Sequence, residues 1–138
     1  MLGGQYAELK GRITGQRVLD IEGPTIETSV SVSGTMKGIQ VQEMITFVGT
    51  PTAEKGVIHG VGKGVIMASG GGESEMATYT GEGLGRLGSS GSIKWRDSVF
   101  VRTSSGGVKL AFLNNLVGLF ESEIDADGNF FEKAWEWK

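Results

Sequence analysis

The sequence predicts an all-β protein, a closed antiparallel barrel of about eight strands in mostly up-and-down order. Three observations carry this. Apolar and polar residues alternate with period 2 through nearly the whole length. No stretch of ten or more residues places apolar side chains at helical 3.6 spacing. Glycine occurs 24 times against 2 prolines, without a G-X-Y period, and falls in turns and alternating patches, as strongly bent strands require. Short connections favour hairpin order, eight strands suit closure, and closure removes the sheet edges that invite aggregation. At 138 residues the chain is expected to form a single barrel domain, 1–138. A domain of that size buries about two thirds of its unfolded surface without a disulfide or metal staple.

The first strand is expected from about Glu8 to Ile21. Leu9, Gly11, Ile13, Gly15, Leu19 and Ile21 share one face, and Arg17 sits among them. "EGP" turns into the second strand, "TIETSVSVSGTM", with Ile26, Val30 and Val32 inward. Lys37-Gly38 is a tight turn. The third strand, "IQVQEMITFVG", carries Ile39, Val41, Ile45 and Phe47 on one face with Glu43 between them. After the loop "TPTAEKG", the fourth strand runs from Val57 to Ala68, "SGGGESE" is a flexible connection, and the fifth runs from about Met76 to Leu87. "GSSGS" turns into the sixth, "IKWRDSVFVRT", with Ile93, Trp95, Val99 and Val101 inward, Asp97 on that apolar side, and Lys94, Arg96 and Arg102 outward. "SSGG" turns again. "VKLAFLNNLVG" reads as a short irregular or helical crossing before the seventh strand, "VGLFESEI". "DADGN" is an Asp-Gly hairpin signal leading to the last strand, "FFEKAWEW". There Phe131, Trp135 and Trp137 share one face, read as core packing or subunit contact, and Glu132 and Glu136 share the other.

Strands four and five alternate glycine: Gly60, Gly62 and Gly64, then Gly81, Gly83 and Gly85. Pairing Ala68 with Ala77 sets Gly60 against Gly85, Gly62 against Gly83 and Gly64 against Gly81, a patch on one face. Such a patch allows sharp coiling and the close approach of an aromatic side chain, a crossing segment, a second subunit or a ligand. Bending and close packing is the leading reading.

The segments "GVIHGVGKGVIM", "TYTGEGLGRL", "GSIKWRDSVFVRTSSGGVKLAFLNNLVGLFE" and "DADGNFFEKAWEWK" resemble the allene oxide cyclase-like, calycin-like small barrels over roughly residues 57–138. The resemblance lies in strands and glycines and not in a catalytic signature. It implies an eight-stranded antiparallel barrel with an interior able to hold an apolar molecule, commonly in an oligomer. It brings no catalytic set, so cyclase activity is not implied.

Composition excludes several classes. A net charge of −3 argues against a nucleic-acid binder and against a polybasic membrane-surface protein. The absence of cysteine excludes disulfides, thiolate nucleophiles and Cys-ligated metals. "MLGGQYAELKGR" has no basic region leading into an apolar one, and no apolar run approaches ~20 residues, so a soluble cytoplasmic chain without membrane partners is expected. Gly83, Gly85 and Gly88 spell G-x-G-x-x-G but precede a turn and a strand where a dinucleotide site needs a helix. "DADGN" lacks the spacing of a calcium loop. No metal site and no cofactor is expected.

His59, the one histidine, shares a face with Val61, Lys63, Val65 and Met67; a wall or surface position is the leading reading, with acid–base use the alternative. Arg17, Glu43 and Asp97 stand on apolar faces. Unpaired buried charges cost several kcal/mol, so these three are expected to pair or to form the polar floor of an apolar pocket. The expected function is non-catalytic binding of a small, largely apolar molecule inside the barrel. Arg17, Glu43, Asp97, Trp95 and His59 are the candidate ligand-binding residues, and the assembly is expected to be a homo-oligomer. Two alternatives stand beside it. One is an isomerase or cyclase with a perturbed carboxylate or His59 at the cavity, although no catalytic residue is assigned. The other is an oligomerisation module with a filled core and an outward glycine patch.

Overall fold

Eight strands alternate with turns in a computed structural model that describes residues 1–68, 75–103 and 107–138. Most of the expected flexible connection (69–74) and of the sixth-to-seventh turn (104–106) lies outside the described residues. The strands are β1 (Leu2–Asp20), β2 (Thr25–Met36), β3 (Ile39–Pro51), β4 (Val57–Ala68), β5 (Met76–Leu87), β6 (Ile93–Thr103), β7 (Leu116–Ile124) and β8 (Asn129–Trp137). Each pairs antiparallel with the next. β8 then pairs with β1 from Leu2↔Trp137 to Arg12↔Asn129, so the sheet closes in up-and-down order. The crossing before β7 contains a single 3₁₀ turn, Ala111–Leu113. Among the described residues, no helix is long and apolar enough to cross a membrane.

The turns use the residues their geometry requires. Lys37 and Gly38 both have positive φ, 47° and 77°, the pattern of a type I′ hairpin turn. The "DADGN" segment is also a hairpin turn: the Asp125 carboxylate accepts the backbone N–H groups of Asp127 and Asn129.

The period-2 alternation places Leu9, Val30, Val32, Val41, Ile45, Ile66, Ala77, Val99, Val101 and Phe120 in the buried core. At the end holding the chain termini and the 37–38 turn, the segment 107–113 folds in as a plug. Leu110 and Leu113 are fully buried, and Phe112 packs edge-on to Tyr6 with ring centroids 6.2 Å apart. Glu75 anchors this plug by accepting the backbone N–H groups of Val108 and Lys109 on Oε1 and of Leu110 on Oε2, at 2.8–3.0 Å.

Three expectations are corrected. Strand β1 begins at Leu2, six residues before Glu8. Its alternation breaks at Thr14: Ile13 opposes Val30 and Gly15 opposes Ser29, leaving Thr14 as the extra residue of a β-bulge. The bulge reverses the parity, so Arg17 faces outward, exposed, and pairs with Glu27 at 3.4 Å, while Leu19 and Ile21 are exposed. In β8 the carboxylate face points inward: Glu132 is 2% exposed, whereas Phe131 and Trp137 lie outside at 42% and 60%.

The third correction concerns the glycine register, which is displaced by two residues. Gly60 opposes Gly83, Gly62 opposes Gly81 and Gly64 opposes Tyr79. An even displacement keeps every side chain on its face, so the patch survives and lines the interior, not an outer docking surface. It is a seat for aromatic rings. A Cβ on Gly60 would stand 2.6 Å from the Trp95 ring and one on Gly85 2.8 Å from it, while one on Gly64 would strike the Tyr79 ring. Gly60→Ala is therefore expected to destabilise the fold by about 1–3 kcal/mol through overpacking. Gly15→Ala, with nothing within 4 Å of its added methyl, is expected to leave stability unchanged or raise it by up to about 1 kcal/mol. Urea denaturation midpoints of the two variants check this; equal effects would show that the indole is not seated on glycine.

Candidate functional site

The interior above the plug contains a cavity of about 50 Å³ bounded by Phe47, Gly60, Gly62, Tyr79, Trp95, Asp97, Phe120, Ser122, Phe130 and Glu132. Strand parity explains the set. Bulky inward residues of β3, β6, β7 and β8 face the side-chain-free wall of β4 and β5, and the space the rings do not fill remains. Phe47 meets Trp95 edge-to-face at 5.3 Å, and Tyr79 meets Phe120 in the same way at 5.1 Å.

Beside this aromatic lining stand three carboxyl groups. Glu43 of β3 and Glu132 of β8 are buried, and Asp97 of β6 is partly buried. The Tyr79 hydroxyl donates a short hydrogen bond to Glu43 Oε1. The Glu43 and Glu132 carboxyls are neighbours in the interior, and the charge of Glu43 raises the cost of ionising Glu132. Neither Glu43 Oε2 nor Glu132 Oε2 has a hydrogen-bond partner, and Trp95 Nε1 and the Tyr6 hydroxyl have none either. All 13 lysines and arginines are exposed, so no protein cation compensates these acids.

Desolvation sets their protonation. Burial raises Glu43 to about 7, opposed by the Tyr79 hydrogen bond, and raises Asp97 to about 6. Glu132 is pushed well above the usual carboxylate range, first by burial and then by the neighbouring Glu43 charge. Tyr79 is raised by burial and by the Glu43 charge. A pair of like acids in a buried interior resists double ionisation, which adds to the desolvation of each.

Of the five residues singled out from sequence, the fold brings together Glu43, Trp95 and Asp97. Arg17 is outside because of the Thr14 bulge. His59 is also on the outer wall, since the alternate positions of β4 that face inward are its glycines; its Nε2 lies 2.6 Å from Glu82 Oε2. Sequence reasoning missed Glu132 and Tyr79. A usable signal was present: Glu132 lies on the same face of β8 as Phe130 and Ala134, and both of those are core residues. Among the described residues, no group of three or more His, Cys, Asp or Glu is placed to hold a metal ion.

No family model matches the sequence, and no curated protein matches it significantly. A solved structure does match in fold: the crystal structure of a protein of unknown function from Clostridium acetobutylicum ATCC 824 superposes with a TM-score of 0.73 at 12% identity, over 97% of each chain. At that identity the likeness establishes the fold alone. This chain is thus a small closed eight-stranded antiparallel β-barrel protein.

The raised carboxyls fix the sign of the pH dependence. Between pH ~4 and the folded values, the native state holds protons that the unfolded chain has released. Their contribution is complete below about pH 4 and is lost as pH climbs through about 6 for Asp97 and about 7 for Glu43. With ~1.4 kcal/mol for each tenfold, the loss is on the order of a few kcal/mol. Glu132→Gln, which removes the most strongly raised acid, is expected to make the fall in unfolding free energy from pH 5 to pH 8 shallower. An unchanged slope would show that the pair is not desolvated. Comparison with wild type isolates the interior acids from Glu75 and Asp125, whose hydrogen bonds shift them the opposite way.

Proposed function

We propose that this protein is a non-catalytic binding barrel that holds a compact small molecule in the cavity between the Trp95 indole and the Glu43–Glu132 pair. The observation carrying the reading is the set of buried polar atoms at that cavity without partners, Glu132 Oε2 and Trp95 Nε1. Native interiors rarely leave such atoms unmet, because each costs about 1–3 kcal/mol. Asp97 and Ser122 add further polar contacts, and Phe47, Phe120 and Phe130 supply the apolar part. The volume limits the occupant. Drug-sized ligands need about 300 Å³ or more, so about 50 Å³ admits only a very small one.

The wider proposal includes a place among the allene oxide cyclase-like barrels, supported by the closed eight-stranded topology and by the residue pattern of the second half. It also includes a cytoplasmic homo-oligomer. Charged residues such as Lys63, Arg96, Glu121 and Lys133 on the outer wall, where a lipid-facing barrel would be apolar, support an aqueous setting. Outward Phe131 and Trp137 support self-association. A second reading, an acid–base isomerase, is favoured by one observation: Asp97 borders the cavity with a pKa of about 6, suited to proton transfer near neutrality.

Native mass spectrometry of protein purified from its own host tests the main reading and reports assembly at once. The expected result is a retained small-molecule mass that is lost in Ser122→Leu, which fills the cavity, while circular dichroism keeps the β signature. A bare polypeptide mass under gentle conditions, unchanged on incubation with a small-metabolite extract, removes the pocket reading. Turnover of the recovered molecule, abolished by Asp97→Asn, would replace binding with catalysis.

A further inference from the structure

We propose that the cavity takes a compact ammonium-type cation, either ammonium itself or the head of a small primary amine. This deepens the pocket reading above and rests on it. Four observations converge.

The first is charge. Glu43, Asp97 and Glu132 project inward from three different strands, and every lysine and arginine of the chain is exposed. A buried negative charge without a counter-charge is costly, and a bound cation removes that cost. The second is a shortage of hydrogen-bond donors. The Tyr79 hydroxyl donates to Glu43 Oε1, while Glu43 Oε2 has no partner and Glu132, 2% exposed and lining the cavity, keeps Oε2 unmet. An ammonium head brings several N–H donors and accepts nothing, which matches an acceptor-rich site. The third is the lining. The rings of Phe47, Trp95 and Phe120 border the same space, and aromatic faces attract cations, desolvated ones most strongly. The fourth is size. A cavity of about 50 Å³ is far below the ~300 Å³ of a drug-sized pocket, so the occupant is small. The carboxyls are not arranged to hold a metal ion, which leaves a hydrogen-bonding cation as the fitting class.

The charged form of the acids must be available to the ligand, so binding competes with protons. The titratable groups facing the site are Glu43 from β3, Tyr79 from β5, Asp97 from β6 and Glu132 from β8. Tyr6 lies farther along and feels the charges of Glu132, Glu43 and Glu136. The inward positions of β2, β4 and β7 carry no titratable side chain among the described residues.

Isothermal titration of the full-length protein with ammonium chloride, methylammonium, tetramethylammonium and methanol at pH 6 and pH 8 tests this. The Trp95 indole N–H resonance is followed in parallel. Methylammonium is expected to bind at least tenfold more tightly than methanol, its neutral counterpart. Its affinity is expected to rise at least tenfold from pH 6 to pH 8, with proton release seen as a dependence of the heat on the buffer. Tetramethylammonium is expected not to bind. Glu132→Gln and Asp97→Asn, both close in shape to the native residues, are each expected to cost at least tenfold while the circular dichroism spectrum is retained. Methylammonium binding more tightly than ammonium assigns the site to an amine head, and the reverse order assigns it to free ammonium. Methanol binding as tightly as methylammonium overturns the cation and leaves the pocket. Binding unaffected by either substitution overturns it too, because the site then lies elsewhere. An indole N–H that responds to none of the four probes overturns the cation and the pocket together.

Discussion

The seam of backbone hydrogen bonds between β1 and β8 makes the rest of the structure possible. Without it the chain is a curved sheet with two edges, and the inward residues of β8 lie on a rim open to water. With it, Glu132 of the last strand is carried round to meet Glu43 of the third. Both side chains are buried there, and desolvation then decides their chemistry. Two acids that would ionise freely on the outer wall are both raised inside, and the Tyr79 hydroxyl donates to Glu43.

The glycines of β4 and β5 and the aromatic rings of the neighbouring strands are two halves of one packing solution. A strand face stripped of side chains provides depth, and Trp95 and Tyr79 fill most of it. The fit is incomplete on the side where the carboxyls stand, and that shortfall is the cavity. The opposite end has no such shortfall, because Leu110 and Leu113 are drawn in by the plug that Glu75 secures through three backbone N–H groups. The barrel is thus sealed at one end by hydrocarbon, with its polar groups gathered in the remaining interior.

A shared fold carries no function by itself, since small barrels serve many purposes. The Clostridium structure matches this chain along almost its whole length and agrees with it at 12% of positions. The interior of this chain holds three acids and a ring of aromatic side chains with no basic residue among them. Any account of its role has to begin from those side chains.

The sequence by itself determined the strand count, the up-and-down order and closure, because period-2 alternation and turn chemistry are local properties. It also placed Glu43, Trp95 and Asp97 inside, each flanked on its own face by several aliphatic residues. Alternation says which residues share a face; it does not say which face is inner. In β8 both faces carry aromatic residues, and three-dimensional pairing alone turned Glu132 inward and Trp137 outward. The bulge at Thr14 has no composition of its own and reverses the residues that follow it as far as Val18, which is how Arg17 came to lie outside. The glycine register was ambiguous by two residues because an even slip preserves the face, and the bulk of Trp95 and Tyr79, resting on glycines of neighbouring strands, selects the observed one. The raised carboxyls of Glu43 and Glu132 are the most distant of these outcomes from the sequence, because they depend on two residues 89 positions apart meeting in the buried interior.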